Sequence, residues 1–286
     1  MKTWAALLML LPAIAIFTLT FAVPMAMVLR LAFLDSDYLL TKWVGLGNFR
    51  ELLRDTKFLK SFLNVFIYLV PLIPYSVLSC YGTASMLSRF SPRAQAVGRF
   101  VSYLPSLTSG LIIALLWRWL LARDGLVNQF LVASGMKAVG WLIEPWTARM
   151  SMLLVSISTG PGALVILSSA SIASVPTELH DAAIIDGASE SQYRRHIIRP
   201  LMTPMIMLII LLCLVGTIQV WETVYVLTGD GGPKGSTATP VYNLFQAAFF
   251  FNRPGYAAAK GIVLLVVVAA LVWVKQRVER WATAEV

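Results

Sequence analysis

Charge is scarce in this chain. Lys, Arg, Asp and Glu make up only 13% of its 286 residues, against about 25% in an ordinary soluble domain. A soluble fold of this length has no interior large enough for a 58% hydrophobic content. Cysteine is nearly absent. Cys80 and Cys213 both fall inside apolar runs, which excludes a disulfide framework and a thiolate metal site and leaves two small buried hydrophobes. Histidine is as sparse: His180 and His196 lack partners at metal-ligand spacing, so neither a metal nor a catalytic role is expected of them. No GxxxxGK[ST] pattern occurs. Lys234-Gly235-Ser236 sits in a Gly-rich loop, but the glycine spacing is wrong for a phosphate cradle. The net charge of +9 would suggest nucleic acid in a soluble protein. Here the basic residues flank apolar runs, where lipid headgroups lie, so nucleic acid is not expected as a partner.

What is abundant is the long apolar run. Blocks of roughly 20 or more residues recur, the length a helix needs to cross about 30 Å of hydrocarbon. They lack the alternation of a membrane β-barrel. The expected fold class is therefore all-α: a polytopic membrane protein with about six transmembrane helices. The blocks run near residues 3–34, 61–87, 100–121, 148–173, 201–227 and 257–273. The first is about twice as long as the core of a signal peptide, and we read it as a retained span, with Pro12 and Pro24 as points of bending. A short basic loop, 88–99, separates the second and third blocks. The fourth is rich in Ser, Thr and Gly, including Ser158 and Thr159 beside Gly160-Pro161, which suits close helix packing or the lining of a polar path. Basic residues divide almost evenly between the two sets of loops, so charge bias does not orient the spans.

The segment 174–200 is polar and dense in charges of both signs. Pro176 suits a helix start, and Glu178 suits the first turn. Gly187 permits a reversal, and Ser189 to Ile198 suits a second short helix. The pattern describes a helix–Gly–helix hairpin held between two membrane helices and exposed to water.

Asp181-Ala182-Ala183, three residues, Gly187, nine residues, then Ile197 and Pro200 resembles the "EAA" signature of permease subunits of binding-protein-dependent ABC importers. Asp181 replaces the usual Glu, and Arg199 stands in a Leu position. Arg194 occupies a place where an aromatic is frequent, with Tyr193 beside it. Val44-Gly-Leu-Gly-Asn-Phe49 and the loop Leu227-Thr-Gly-Asp-Gly231-Gly232-Pro233 resemble segments of the carbohydrate (maltose-like and glycerol-phosphate-like) branch. Phe251-Asn-Arg-Pro-Gly-Tyr-Ala-Ala-Ala259 resembles the start of the last span there.

The resemblance implies a MetI-like permease fold, with the first helix and an outer loop in 1–58 and the transporter domain in 59–280. It further implies a hairpin at 176–200 and a cytoplasmic tail at 281–286. It implies that Asp181, Ala182, Ala183, Asp186, Gly187, Glu190, Tyr193, Arg194 and Pro200 form the surface that docks on an ATPase. Gly231, Gly232 and Pro233 would face the solute-binding protein. The expected partners are a second permease, two ATPase subunits, a binding protein, a sugar and the bilayer of a bacterial inner membrane, with both termini cytoplasmic. ATP and Mg would be bound by the ATPases, and this chain would carry no cofactor and no enzymatic activity.

From the residues alone, the substrate path falls on the fourth and fifth blocks. Glu222 is the one acid well inside a span, and an acid there is a functional candidate. Gln219 and Tyr225 lie three residues to either side, on one face if the helix is unbroken. Ser158 and Thr159 would line the same path or pack helices. Alternatives to a sugar importer are uptake of glycerol-phosphate compounds, an ion-coupled secondary transporter, or a membrane scaffold that transports nothing.

Overall fold

The computed structural model describes the backbone of residues 3–37 and 40–284 and the side chains of residues 9–35 and 41–278. The side chains of Lys2, Glu279 and Arg280 lie outside the described residues, as do residues 285–286 of the expected tail.

In chain order, α1 (Thr3–Phe17) runs through a π-helical turn, Thr18–Ala22, into α2 (Val23–Leu31). A two-stranded antiparallel ribbon follows, β1 (Leu34–Asp37) and β2 (Leu40–Trp43), with Leu34 opposite Trp43. Then come α3 (Gly47–Arg54) and the long α4 (Thr56–Leu87). Next are α5 (Pro92–Tyr103), α6 (Gly110–Leu120) and α7 (Leu126–Ala133). Beyond them lie α8 (Pro145–Thr159), α9 (Gly162–Ala173) and α10 (Thr177–Ile185). The chain continues through α11 (Glu190–Tyr193), a π turn, α12 (Arg199–Leu201) and α13 (Thr203–Gln219). It ends with α14 (Glu222–Thr228), α15 (Pro240–Phe245) and α16 (Pro254–Ala284).

Among the described residues, three helices are long and apolar enough to cross a bilayer unbroken: Met9–Leu31, Thr56–Leu87 and Pro254–Val278. Three more candidate spans are bent pairs: Pro92–Leu107 with Gly110–Leu120 at 76°, Pro145–Thr159 with Gly162–Ala173 at 49°, and Glu190–Leu201 with Thr203–Gln219 at 60°. Six spans are reached only if each bent pair counts as one. This corrects the sequence reading of continuous third, fourth and fifth spans. The loop expected at 88–99 also shrinks, because Pro92 starts a helix that carries Arg93 and Arg99: proline at N1 is pre-set for helical φ. The tail expected at 281–286 is helical as far as Ala284.

The contacts divide the chain into two compact units. In the unit formed by Met1–Leu59 and Asn243–Val267, every described side chain from Met9 to Arg30 is exposed. The small residues Ala32, Ala258 and Ala259 form a tight buried contact. Gly255 belongs to the same approach, since a methyl group there would collide with the Leu34 carbonyl. Asp55 closes α3 and caps α4, its Oδ1 accepting from the N–H groups of Lys57 and Phe58. Its other oxygen receives the Tyr256 hydroxyl at 2.8 Å and lies 3.0 Å from the buried Lys260 Nζ. Burial pushes the Asp55 carboxyl up, but these hydrogen bonds and the Lys260 charge outweigh it, and the net shift is downward. The bidentate hydrogen bond from Arg253, at 2.6 and 2.7 Å, holds Glu51 below the usual carboxylate range as well.

In the unit formed by Lys60–Tyr242 and Val268–Val286, one core joins Tyr68, Ala114, Met152, Val155, Val224 and Tyr242. Another joins Cys80, Val165, Ile198, Met202 and Ile209. Both cysteines are free, Cys80 buried and Cys213 half-buried, as expected of small hydrophobes.

Candidate functional site: a polar hairpin, an uncharged chamber and a pinned loop

The hairpin takes the predicted form. α10 ends in a Schellman turn, with the Gly187 N–H bonded to Ile184 C=O at 3.0 Å and the Ala188 N–H to Ala183 C=O at 2.9 Å. Gly187 supplies the left-handed residue, at φ +73°. α11 then starts with a capping box, in which the Ser189 Oγ accepts from the Gln192 N–H and the Gln192 side chain accepts from the Ser189 N–H.

Of the residues expected to dock a partner, Asp181, Ala182, Asp186, Gly187 and Glu190 are exposed. Ala183 is buried, and Tyr193 and Pro200 are half-buried. Beside them Ile184 and Ile185 are exposed, Ile185 at 85%. An apolar tip on a polar hairpin is the composition of a docking surface.

Arg194, noted as a departure from the family pattern, pins the hairpin. Its Nε lies 2.6 Å from Glu190 Oε1, and its Nη1 donates to the carbonyl and hydroxyl oxygens of Ser85, near the end of α4, at 2.9 and 2.8 Å. Ile198, four residues on, enters the core around Cys80 and Met205. The hairpin is thus fastened to the end of one spanning helix by a charge-assisted bond and to the bundle by an apolar plug, while its tip stays free.

A cavity of about 380 Å³ lies among α4, α8, α9 and α13. Hydroxyl groups of Ser76, Ser156, Thr159, Thr217, Thr223 and Thr239 line it, together with Tyr68 and Tyr75. Leu72, Met152, Val155 and Leu164 supply apolar wall, and among the described residues no charged side chain reaches it. Several hydroxyls donate to nearby main-chain carbonyls: Thr159 to Ser156, Ser156 to Met152, Thr217 to Cys213, Tyr75 to Ile157 and Thr239 to Val220. Each oxygen keeps acceptor capacity. The chamber offers acceptors for hydroxyl-rich solutes and flat apolar surfaces for their ring faces.

Of the path residues expected from sequence, Thr159 lines this chamber. Ser158 lies one residue away and accepts the Trp117 indole N–H at 2.9 Å. Gln219, Glu222 and Tyr225 are exposed and outside the chamber. They do not share a continuous helical face, because the helix breaks between them: Val220 is extended (ψ 119°) and Trp221 has φ −134°. Neither Pro nor Gly marks that break. Val220, Thr217 and Thr223 face the chamber instead.

The Gly-rich loop is folded back on itself. Gly231 and Gly232 have φ +82° and +77°, and Pro233 opens a single 3₁₀ turn. Asn64 holds this turn, its Nδ2 donating to the carbonyls of Gly235 at 2.8 Å and Ala238 at 2.9 Å. Arg149 completes the clamp, bonding both Asn64 Oδ1 and the Ser236 carbonyl at 3.2 Å. No local sequence signal marks Arg149, which stands among ordinary flanking cations.

Spanning and half-spanning helices, a fastened polar hairpin at one place and an uncharged hydroxyl-lined chamber at another define the membrane subunit of a transporter. The chain belongs to the family described as binding-protein-dependent transport system inner membrane component, which matches residues 53–283. It is 30% identical over 255 residues to the probable ABC transporter permease protein YesP of Bacillus subtilis (strain 168), covering 87% of this chain and 82% of that one. It is 27% identical to the lactose transport system permease protein LacF of Rhizobium radiobacter, covering 91% and 89%. In three dimensions it is similar to a chain of the bacterial alginate ABC transporter solved in complex with alginate pentasaccharide-bound periplasmic protein. There the TM-score is 0.83 at 24% identity, with 99% of this chain and 96% of that one covered.

Proposed function

We propose that this chain is one of two different permease subunits of an ATP-driven importer, and that it carries a neutral disaccharide or oligosaccharide delivered by a solute-binding protein. The charge-free, hydroxyl-lined chamber is the observation that carries this reading. A saccharide needs hydrogen-bond acceptors and an apolar face, and both are present. An acidic or phosphorylated solute would leave its charge without a counter-charge, at a cost of several kcal/mol (about 2–5) in a low-dielectric site. The lactose relative supports the same substrate class, while the alginate importer, whose solute is acidic, shares the fold alone.

ATP and Mg are bound by separate ATPase subunits, and the hairpin 176–200 is their docking lever. That orientation puts the hairpin and both termini on the cytoplasmic side of the inner membrane. The loop at Gly231–Pro233 then faces the binding protein. Movement of the hairpin tip is passed to α4 through Arg194 and Ser85, and the spans switch between two packed states.

The test is reconstitution of the full complex in vesicles with its binding protein and a panel of labelled sugars. Uptake of neutral saccharides should require both ATP and the binding protein, and Thr217→Asp should abolish it while the complex still assembles. Uptake driven by an ion gradient without ATP, or preference for uronates or sugar phosphates, would defeat the proposal.

A further inference from the structure

A second cavity, of about 460 Å³, lies at the root of the hairpin and plays no part in the sugar path. Its polar wall carries Arg89, Thr177, His180, Glu190, Tyr193 and Arg194, and Ile172, Val175 and Ile198 form an apolar wall beside it. Arg89 stands two residues beyond the end of the span Thr56–Leu87, so the cavity is at the level where a bilayer meets water.

The charges within it nearly cancel. Glu190 is committed to Arg194 at 2.6 Å. His180, half-exposed, has Nε2 3.6 Å from Glu190 Oε2 and its ring edge-on to Tyr193. Asp181, 3.9 Å from His180 Nδ1, is itself 75% exposed. Among the described residues Arg89 makes no side-chain hydrogen bond or ion pair, and neither does the Thr177 hydroxyl. One guanidinium therefore remains without a counter-charge, next to uncommitted hydroxyl donors and an apolar wall continuous with the spans.

We infer that this cavity holds the phosphodiester headgroup of an anionic phospholipid. A phosphodiester carries the single negative charge that Arg89 leaves unmatched, and its oxygens accept from the guanidinium and the Thr177 and Tyr193 hydroxyls. The apolar wall takes the glycerol and first acyl carbons, a feature that a soluble phosphate ester would not use. Basic groups just beyond a span are attracted to such lipids. The position has a consequence for transport. Arg194 already ties α11 to the end of α4. A phosphate shared by Arg89 and Thr177 ties α10 to the same end, so both arms of the hairpin are held. Anionic lipid then sets how firmly the lever is fixed.

The complete complex, extracted from phosphatidylglycerol-containing membranes, is the material for the test. Native mass spectrometry should show retained phosphatidylglycerol on wild type and about fivefold weaker retention for Arg89→Ala, the share of one juxtamembrane cation. Arg89→Lys should restore most of it, and Arg93→Ala, outside the cavity, should not differ from wild type. Equal retention in all variants, or equal loss in Arg89→Ala and Arg93→Ala, overturns the site. In phosphatidylcholine vesicles, wild-type uptake should fall to the level of Arg89→Ala, and added phosphatidylglycerol should restore wild type alone. If soluble glycerol phosphate restores uptake there, the occupant is not a lipid and the inference fails. The uptake arm rests on the import function proposed above. Lipid retention is read on the protein itself, so failure of that function and failure of this site give different results.

Discussion

Gly187 offers the sharpest test of the hairpin, because turn geometry and partner contact predict opposite outcomes there. At φ +73° a side chain is strained, yet a Cβ at this position meets nothing within 4 Å. The whole cost of substitution within this chain is therefore backbone cost. Holding a β-branched residue in the left-handed region costs about 1–2 kcal/mol. If the turn gives way instead, the two Schellman bonds of 3.0 and 2.9 Å are lost, at about 1 kcal/mol each. Either route limits the penalty to about 2 kcal/mol, a fall of roughly 10–30-fold in the population of the closed turn. Asn tolerates this region and should lose only a few tenths of a kcal/mol (~0.3). In vesicles bearing the full complex, Gly187→Val should reduce ATP-driven uptake about tenfold while the subunits still co-purify, and Gly187→Asn should stay within about twofold of wild type. Equal losses for Asn and Val would refute the argument. They would mean that a partner packs against the bare glycine and excludes any side chain.

Other positions give independent checks. Asn64→Ala removes two donors to the carbonyls of Gly235 and Ala238 and one acceptor for Arg149. It should destabilise that turn by about 2–3 kcal/mol, read as faster hydrogen exchange at 233–238 with no change at 177–199. Lys260→Met strips the Asp55 carboxylate of its buried counter-charge and should cost about 3 kcal/mol, seen as a lower thermal midpoint in detergent. The Asp55 and Glu51 carboxyls both ionise below their ordinary values. Their contribution is therefore complete above about pH 5 and is lost as pH falls below about 4. Hydrogen exchange at 47–58 should be flat from pH 7 to 5 after correction for intrinsic rates and should rise only in stronger acid.

The parts of the protein written in short-range signals were legible in the sequence. The hairpin declares itself through Pro176, Glu178, Gly187 and the short helical stretch after Ser189, all acting within a few residues; the Ser189–Gln192 capping box that starts that stretch is a finding of the structure. The unbroken spans declare themselves by length and composition. The bends were not legible as bends. Gly160-Pro161 was visible, but the same residues suit tight packing within a straight helix. The break at Val220–Trp221 has no breaker residue at all, so local propensity does not account for it. That single break removed Gln219, Glu222 and Tyr225 from a shared face and brought Thr217 and Thr223 to the chamber. Arg149 escaped for a different reason. Its partners are Asn64, 85 residues away, and Ser236, 87 residues away, and no periodicity reports a pairing at that separation.

The chamber wall includes Gly110, Gly160, Pro161 and Val220, all at or beside helix interruptions. Where a helix is interrupted, main-chain N–H and C=O groups leave the internal ladder and need other partners. A solute gripped partly by such groups is gripped by atoms that no substitution deletes. Side chains such as Thr217 and Tyr75 are then free to diverge and retune which hydroxyl pattern is accepted, while the main-chain part of the grip persists. A permease built this way can change its sugar over evolutionary time without dismantling its passage.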